Sequence, residues 1–511
     1  MDAIQQWFHE VTGPATQALS SVSDWLYTYV MIACLAGTGI YLTLRSRALQ
    51  VRHFSAMFCY LMRSRKGANG GISSFQAFAI GMATRIGIGN ITGVALALIL
   101  GGPGALFWMW VAAFLGMATA FAEATLAQIF KIPHHDGTFR GGPMAYMRYG
   151  LKSRSLAIVF TLAMVFTMVV AMPMVQSNTI AQVMAASRDV PAWVTAVVVS
   201  ILAALVLLGG VRSVARATEF ISPIMAVVYL VVALSVVAVN FRQIPQFFTD
   251  VFLSAFGMRE AAAGVAGGIM AAIMNGLRRG LFSNEAGMGT NPNAAATATV
   301  AHPVQQGLIQ SLGVFFDTMV ICTATGFIIM TSGLLDRTVL SPDDAGHLTT
   351  SAITQSLGAW MAWPIAIIIF FFGFSSILGA YAYGEASLVF LRAGAKVHFA
   401  AKVLTIVFSA LGALLALTFV WALMDLTMFV VTMINLFTVL ALGSWVIVAM
   451  RDYESQVARI RRNGYLEVAS RDGARMIRVI EPVFQPDALD VPRDYDAKAW
   501  EKAVESAQHL S

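Results

Sequence analysis

The sequence predicts an all-α polytopic membrane protein of about 11 transmembrane helices, two of them interrupted, arranged as two five-span repeats of inverted topology. Three observations predict this. The 511 residues are 58% hydrophobic and only 12% charged, whereas soluble chains carry about 25% charged residues. Apolar runs long enough to cross about 30 Å of hydrocarbon, each needing roughly 20 residues, recur along almost the whole chain. Two of those runs, five apart, are broken by glycine and polar residues: RIGIGNITG from Arg85 and RGLFSNEAGMGT from Arg279.

Taken in order, residues 1–23 form a polar leader with Asp2 and Glu10 but no Lys or Arg. A secretory signal begins with positive charge and ends in a small-residue cleavage site, so no cleaved peptide is expected. The membrane domain is expected over residues 24–450 and a polar tail over 451–511. The spans fall roughly at 24–44, 73–98, 104–130, 157–186, 191–209, 219–240, 261–301 (interrupted), 307–332, 358–391, 401–420 and 426–450. Lys and Arg collect in alternate loops: Arg45, Arg47, Arg52, Arg63, Arg65 and Lys66 after the first span, Lys131, Arg140, Arg148, Lys152 and Arg154 after the third, and Arg451, Arg459, Arg461 and Arg462 after the last. By the positive-inside rule the N-terminus lies outside and the C-terminus in the cytoplasm. The tail carries no catalytic signature and reads as solvated.

The net charge of +6 does not imply a nucleic-acid partner, because the basic residues lie between spans. Cys34, Cys59 and Cys322 are unpatterned and sit in or beside apolar runs, which argues against a disulfide framework or a zinc site. No P-loop, H-E-x-x-H or G-x-S-x-G occurs, and His134-His135-Asp136 lies in a loop beside Pro133. A membrane-embedded enzyme therefore has no sequence support, and transport would have to be driven by a gradient.

The two breaks carry the chemistry. Unwound backbone is tolerated at membrane depth only where protein or a water-filled cavity satisfies its amides and carbonyls, and paired interrupted segments point to a transporter's binding site. From Gly87 to Asn90 a half-helix begins, exposing N–H groups and the positive end of its dipole to a carboxylate. The preceding half-helix ends with the carbonyls of Ala83 and Ile86, which suit a small hard cation. Against this stands a simpler reading of Gly87 and Gly89, in which they only permit close helix packing.

At these residues the chain resembles the alanine or glycine:cation symporter family, within the amino acid-polyamine-organocation superfamily. The resemblance covers nearly all of the membrane domain, through SSFQAFAIGMATRIGIGNITGVALAL, GGPGALFWMWVAAFLGMATAFAEATLAQIF, FRGGPMAYM, RGLFSNEAGMGTNPNAAATATVAHPVQQG and FFFGFSSILGAYAYGE. It implies a leucine-transporter-like fold, with spans 2–6 and 7–11 as the repeats. It also implies import of a small neutral amino acid with sodium across a bacterial inner membrane, by a monomeric unit without an organic cofactor. Proton coupling is the alternative, and a channel a further one. Carried over by position, Gly87, Ile88, Gly89 and Asn90 would hold the substrate carboxylate. Phe282, Ser283 and Asn284 would receive the ammonium and side chain, and Gln176 and Ser376 would complete the pocket. The carbonyls of Ala83 and Ile86 with the hydroxyls of Ser375 and Ser376 would form a sodium cage. Ser375 and Ser376 have another reading, bonding back to their own helix, and Gln176 and Asn178 another as interhelical contacts.

Two departures from the family pattern stand out. Many relatives carry a tryptophan where this chain has Ala380, so the pocket is either roomier or filled by another aromatic such as Phe282 or Tyr381. Arg85 replaces a small neutral residue; it either pairs with Glu285 across the two breaks as a gate latch or acts as a built-in cation. Glu123, Arg278, Arg279, Asp317 and Glu385 complete the intramembrane ionisable residues, functional candidates by their rarity there but individually read as structural.

Overall fold

The computed structural model describes residues 3–63, 72–133, 139–258, 268–469, 476–484 and Trp500. The His134-His135-Asp136 run, Arg65, Lys66 and most of the tail lie outside these.

Helices cover the expected spans. Among the described residues, seven are long and apolar enough to cross a membrane: Thr12–Arg45, Gly104–Ile129, Arg154–Ser187, Pro303–Thr331, Ala359–Phe390, Ala395–Leu414 and Leu417–Ala441. Counting each of two bent pairs as one span raises this to nine: Ser74–Arg85 with Ile88–Gly101, bent by 56°, and Ile224–Val239 with Phe241–Ala255, bent by 76°. Ala192–Leu208 is apolar but shorter, and Gly268–Asn284, on the expected seventh span, carries Arg278 and Arg279 in its 17 residues. The count of eleven is thus not confirmed on length and composition. The expected leader is itself helical, Ala3–Leu26, and continues through a wide turn at Tyr27–Met31 into the first span.

The helices fall into two packed sets. In one, Gly104–Ile129 packs against Gly268–Asn284, Asn291–Thr297 and Pro303–Val314. Small residues let these backbones close in: a Cβ on Gly276 would lie 2.4 Å from the Ala105 carbonyl oxygen, and one on Gly307 2.3 Å from Thr125 Oγ1. In the other set, Met172–Arg188 packs against Ala362–Phe390 and Ala395–Leu414. There a Cβ on Gly412 would lie 2.4 Å from the Cα of Met174.

Two boundaries differ from the sequence reading. The turn before the last span lies at Leu415–Ala416, both extended, rather than between 420 and 426. Neither Leu415 nor Ala416 is a glycine, proline or charged residue, so the sequence leaves that turn unmarked, and Asp425 lies inside the following helix, paired with Arg279. The stretch between the eighth and ninth spans also holds a helix, Ala345–Leu357, that the sequence reading missed. Its start is signalled by Ser341, whose N–H and hydroxyl both donate to Asp344 Oδ2 at 2.8 Å, and its end by Gly358 at φ 103°.

The tail is not simply solvated. Strands Leu466–Ala469 and Met476–Val479 pair antiparallel, and the chain then returns to the membrane domain. Gln456 accepts from the Val483 N–H at 2.8 Å and donates to its carbonyl at 2.9 Å, as a neighbouring strand would. The Phe484 N–H donates to the Ala301 carbonyl at 2.8 Å, and Phe484 stacks edge-on against Trp500. Trp500 in turn lies under the Lys131 ammonium, 4.3 Å from its ring centre. Buried Phe484 and Trp500 supply the apolar surface that a solvated tail would lack. Gln456→Ala leaves the Val483 amide and carbonyl unpaired at a cost of about 1–3 kcal/mol. Hydrogen exchange at Val483 and Phe484 is therefore expected to accelerate roughly 5- to 150-fold, and unchanged exchange would refute the docking.

Candidate functional site

The first break follows from one competition for an amide. In a continuous helix the Gly87 N–H would bond the Ala83 carbonyl; here it donates to Asn90 Oδ1 at 3.0 Å. The Asn90 N–H, which would bond Ile86, donates to the Gly87 carbonyl at 3.2 Å. Both carbonyls proposed for a cation, Ala83 and Ile86, are thereby released from the helix pattern. Among the described residues no acceptor meets the N–H groups of Ile88 and Gly89, the two amides expected to face a carboxylate.

The second break lies at Glu285–Thr290, between helices Gly268–Asn284 and Asn291–Thr297. Glu285, Gly287 and Gly289 all take positive φ, 54°, 94° and 83°; the two glycines adopt it without Cβ strain. Two carboxylates hold this break open. Glu285 Oε2 accepts from Thr290 Oγ1 at 2.6 Å and Asn291 Nδ2 at 3.0 Å, tying it to the side chains at the start of the second half-helix. Glu123 Oε2 accepts from the Gly287 N–H at 3.0 Å while its other oxygen meets Asn435 Nδ2. Glu123, read from sequence as structural, is a buried support of the break.

The breaks meet each other and the ninth span. A Cβ on Gly89 would fall 2.9 Å from the Phe282 ring and 3.3 Å from the Cα of Ser283. Along Ala362–Phe390, Gly373, Ser376 and Gly379 share one face at a spacing of three, and each touches the first break. A Cβ on Gly373 would fall 2.7 Å from Ile88 Cδ1, one on Gly87 2.5 Å from Ser376 Oγ, and one on Gly379 2.7 Å from Thr84 Cγ2. Ala380 is buried on that helix. Ser375 Oγ donates back to the Phe372 carbonyl at 3.0 Å, the alternative raised for it, which leaves its oxygen lone pairs available. Ser376 Oγ is buried without a partner, as is Gln176 Oε1, whose amide nitrogen meets Met172 Sδ at 3.4 Å. Asn178, by contrast, ties Gly412 and Leu415 at 2.9 and 2.6 Å and is interhelical. Asn284 Oδ1 accepts from the Ala286 N–H at 3.0 Å.

The residue that sequence reasoning undervalued is Asp317. It lies in a wide helical turn, Phe315–Cys322, fully buried. One oxygen accepts from Asn90 Nδ2 at 2.6 Å; the other accepts from Ser283 Oγ at 2.7 Å and Thr318 Oγ1 at 2.9 Å. A single carboxylate therefore joins both breaks. Its signal was present in the sequence, an acid isolated in GVFFDTMVIC, but spacing alone does not reveal that Asn90 and Ser283 converge on it.

Arg85 does not take up the expected pairing with Glu285. Its Nη1 donates to the Gln310 carbonyl at 3.2 Å, in a slot left by Gly313, where a Cβ would sit 2.3 Å from it. Among the described residues it makes no ion pair with Glu285, whose Oε2 is engaged by Thr290 and Asn291. Thr84, one residue away, does reach Glu285 Oε2 at 3.5 Å, so the two broken spans are joined there by a hydroxyl instead.

Above Phe282 stands a network that the sequence did not suggest. The Phe282 ring lies 4.5 Å from that of Trp421, the Arg279 guanidinium lies 4.4 Å over the Trp421 ring, and Arg279 bonds Asp425 Oδ2 at 2.5 Å. Arg278 approaches the same oxygen at 3.7 Å and binds Asp24 of the first helix at 2.8 Å. Trp421 is the aromatic packed on Phe282. Removing one partner of a buried pair costs about 3–5 kcal/mol, so Asp425→Asn is expected to lower the unfolding midpoint in detergent markedly. Wild-type stability in that variant would remove the pair from this account.

Comparison with known proteins fits this geometry. Residues 13–465 match the model of the sodium:alanine symporter family. Amino-acid carrier protein AlsT of Bacillus subtilis is 38% identical over 95% of this chain and 97% of its own length. The probable sodium/glutamine symporter GlnT of the same organism is 40% identical over 85% and 90%. Sodium/alanine symporter AgcS of Methanococcus maripaludis is 37% identical over 80% and 90%. In fold, the chain is similar to MhsT, crystallised with L-phenylalanine, at a TM-score of 0.50 and 13% identity, over 86% of this chain and 96% of that one. These relatives are transporters and not enzymes, and this multi-pass membrane protein belongs to the sodium:alanine symporter family.

Proposed function

We propose that the protein is a secondary active symporter that imports a small neutral amino acid with sodium by alternating access. The observation that carries this reading is the meeting of two broken helices at Asp317, with free amides on one side and unpartnered acceptors on the other. The amides of Ile88 and Gly89, positioned by Gly87 and Asn90, receive the substrate carboxylate. The ammonium lies toward Phe282, Ser283 and Asn284, where Asp317 offsets its charge and Gln176 Oε1 offers an acceptor. Asn90 and Ser283 are bonded to Asp317, so they orient the site as well as line it.

Sodium occupies the gap between the second and ninth spans, held by the carbonyls of Ala83 and Ile86 and the hydroxyls of Ser375 and Ser376. Because that gap joins the two helical sets, the ion favours the state in which they are together, and this differential affinity is what coupling requires. Arg85 and Glu285, tied to Gln310 and to the second half-helix, adjust that equilibrium from below the site. Proton coupling is the second reading, favoured by the buried carboxylates Asp317 and Glu285 beside the breaks. Alanine and glycine are the leading substrates; with alanine at position 380, and with a relative named for glutamine at 40% identity, serine or a larger neutral amino acid also fits. We place the protein as a monomeric unit in a bacterial inner membrane, N-terminus outside and C-terminus in the cytoplasm.

Proteoliposomes loaded with unlabelled alanine test this. Labelled alanine is expected to enter by saturable counterflow, to fall at least about tenfold when choline replaces sodium at fixed pH, and to compete with glycine, serine and glutamine in graded order. Uptake indifferent to sodium but driven by a pH gradient would select the proton reading, and large single-channel currents would exclude a carrier.

A further inference from the structure

We propose that the inner face carries a site for the headgroup of an anionic phospholipid, built from the two ends of the membrane domain. A cavity of about 180 Å³ opens between the end of the first span and the last helix, Gly443–Asn463, and is lined by Arg45, Arg47, Arg52 and Arg451 with one acid, Glu454. Four guanidinium groups against one carboxylate leave three positive charges uncompensated. Glu454 is already engaged by Arg52 and, at 2.9 Å, by His53. Among the described residues, Arg45, Arg47 and Arg451 meet no acid.

Orientation by inside-positive loops accounts for arginines on this side of the membrane. It does not account for arginines about 400 residues apart in sequence converging on one concavity, where their mutual repulsion persists unless an anion enters. Arginine suits that anion because its planar fork bonds two phosphate oxygens at once. The floor of the cavity is Ile447 and Met450, both buried, while Leu44, Val51 and Val448, each adjacent in sequence to a lining residue, are exposed at 72%, 63% and 43%. A phosphodiester in the arginine pocket thus continues into apolar surface for its acyl chains, which distinguishes a lipid from free phosphate. Basic pockets of this kind on the cytoplasmic side are where anionic headgroups bind.

The other side of the same helix holds the inner end of the second broken span. Asp452 meets His302 Nε2 at 3.2 Å, and Gln456 holds Val483 of the docked tail. A bound lipid braces that helix and so bears on closure at the cytoplasmic end.

The test is native mass spectrometry of the full-length protein in detergent, with phosphatidylglycerol or phosphatidylcholine of matched chains. The wild type is expected to retain phosphatidylglycerol in preference, and Arg45→Gln/Arg451→Gln to lose roughly tenfold of that retention, while Arg459→Gln, outside the cavity, keeps it. Millimolar inorganic phosphate is expected not to displace the lipid. Equal retention of both lipids, a double variant indistinguishable from wild type, or displacement by phosphate would each overturn the proposal. Should the double variant aggregate, the exposed Arg47→Gln is read instead and must lower retention. Lipid retention is measured without transport, so its failure leaves the symport reading untouched.

Discussion

Everything at the centre of this protein depends on one buried carboxylate satisfying two broken helices at once. A helix interrupted inside a membrane exposes amides and carbonyls that lipid cannot satisfy, and a carboxylate withdrawn from water is costly unless several donors surround it. Asp317 answers both requirements by accepting from Asn90 on the first break and Ser283 on the second. Asn90 in turn accepts from the Gly87 amide, and that one bond releases the Ala83 carbonyl. Carboxylate, amide and carbonyl thus form a chain from the eighth span, through the first break, to the gap against Ser376 on the ninth.

Two closures flank this centre. On one side, Phe282, Trp421, Arg279 and Asp425 form a stack that runs to Asp24 on the helix preceding the repeats, which gives the extra first span a contact with the pocket. On the other side, the end of the second broken span is held by Gln128 and Lys131, which donate to the Ala298 carbonyl at 2.9 and 3.1 Å. The first broken span joins it there, where the Thr299 N–H donates to the Ile72 carbonyl at 3.0 Å. The tail docks against the same end at Ala301.

Much of this was legible in the sequence, for identifiable reasons. Breaks announce themselves because glycine, asparagine and arginine are conspicuous in an apolar run, so RIGIGN and SNEAGMG marked both unwound segments. Their convergence with Ser376 followed from the resemblance and not from periodicity. What stayed hidden was whatever depends on partners distant in the chain. Asp425 drew no reading because its arginine partner lies on another span. Glu123 read only as structural because its partner, the Gly287 amide, is invisible in the sequence. Arg85 suggested a pairing with Glu285, whereas a notch at Gly313 draws it to Gln310 instead. The tail suggested solvent because Phe484 and Trp500 are too few to form a periodic pattern.

The most direct measurement is the equilibrium binding of alanine, in sodium, to Asp317→Asn. The substitution keeps the shape and removes the charge, and its folding is monitored by unfolding midpoint in the same sample. Hydrogen bonds to charged groups contribute about 1.5–3 kcal/mol, so affinity is expected to fall by at least roughly tenfold while the protein remains folded. Unaltered alanine affinity in a folded Asp317→Asn protein would contradict the assignment of this carboxylate as the joint on which the site is built.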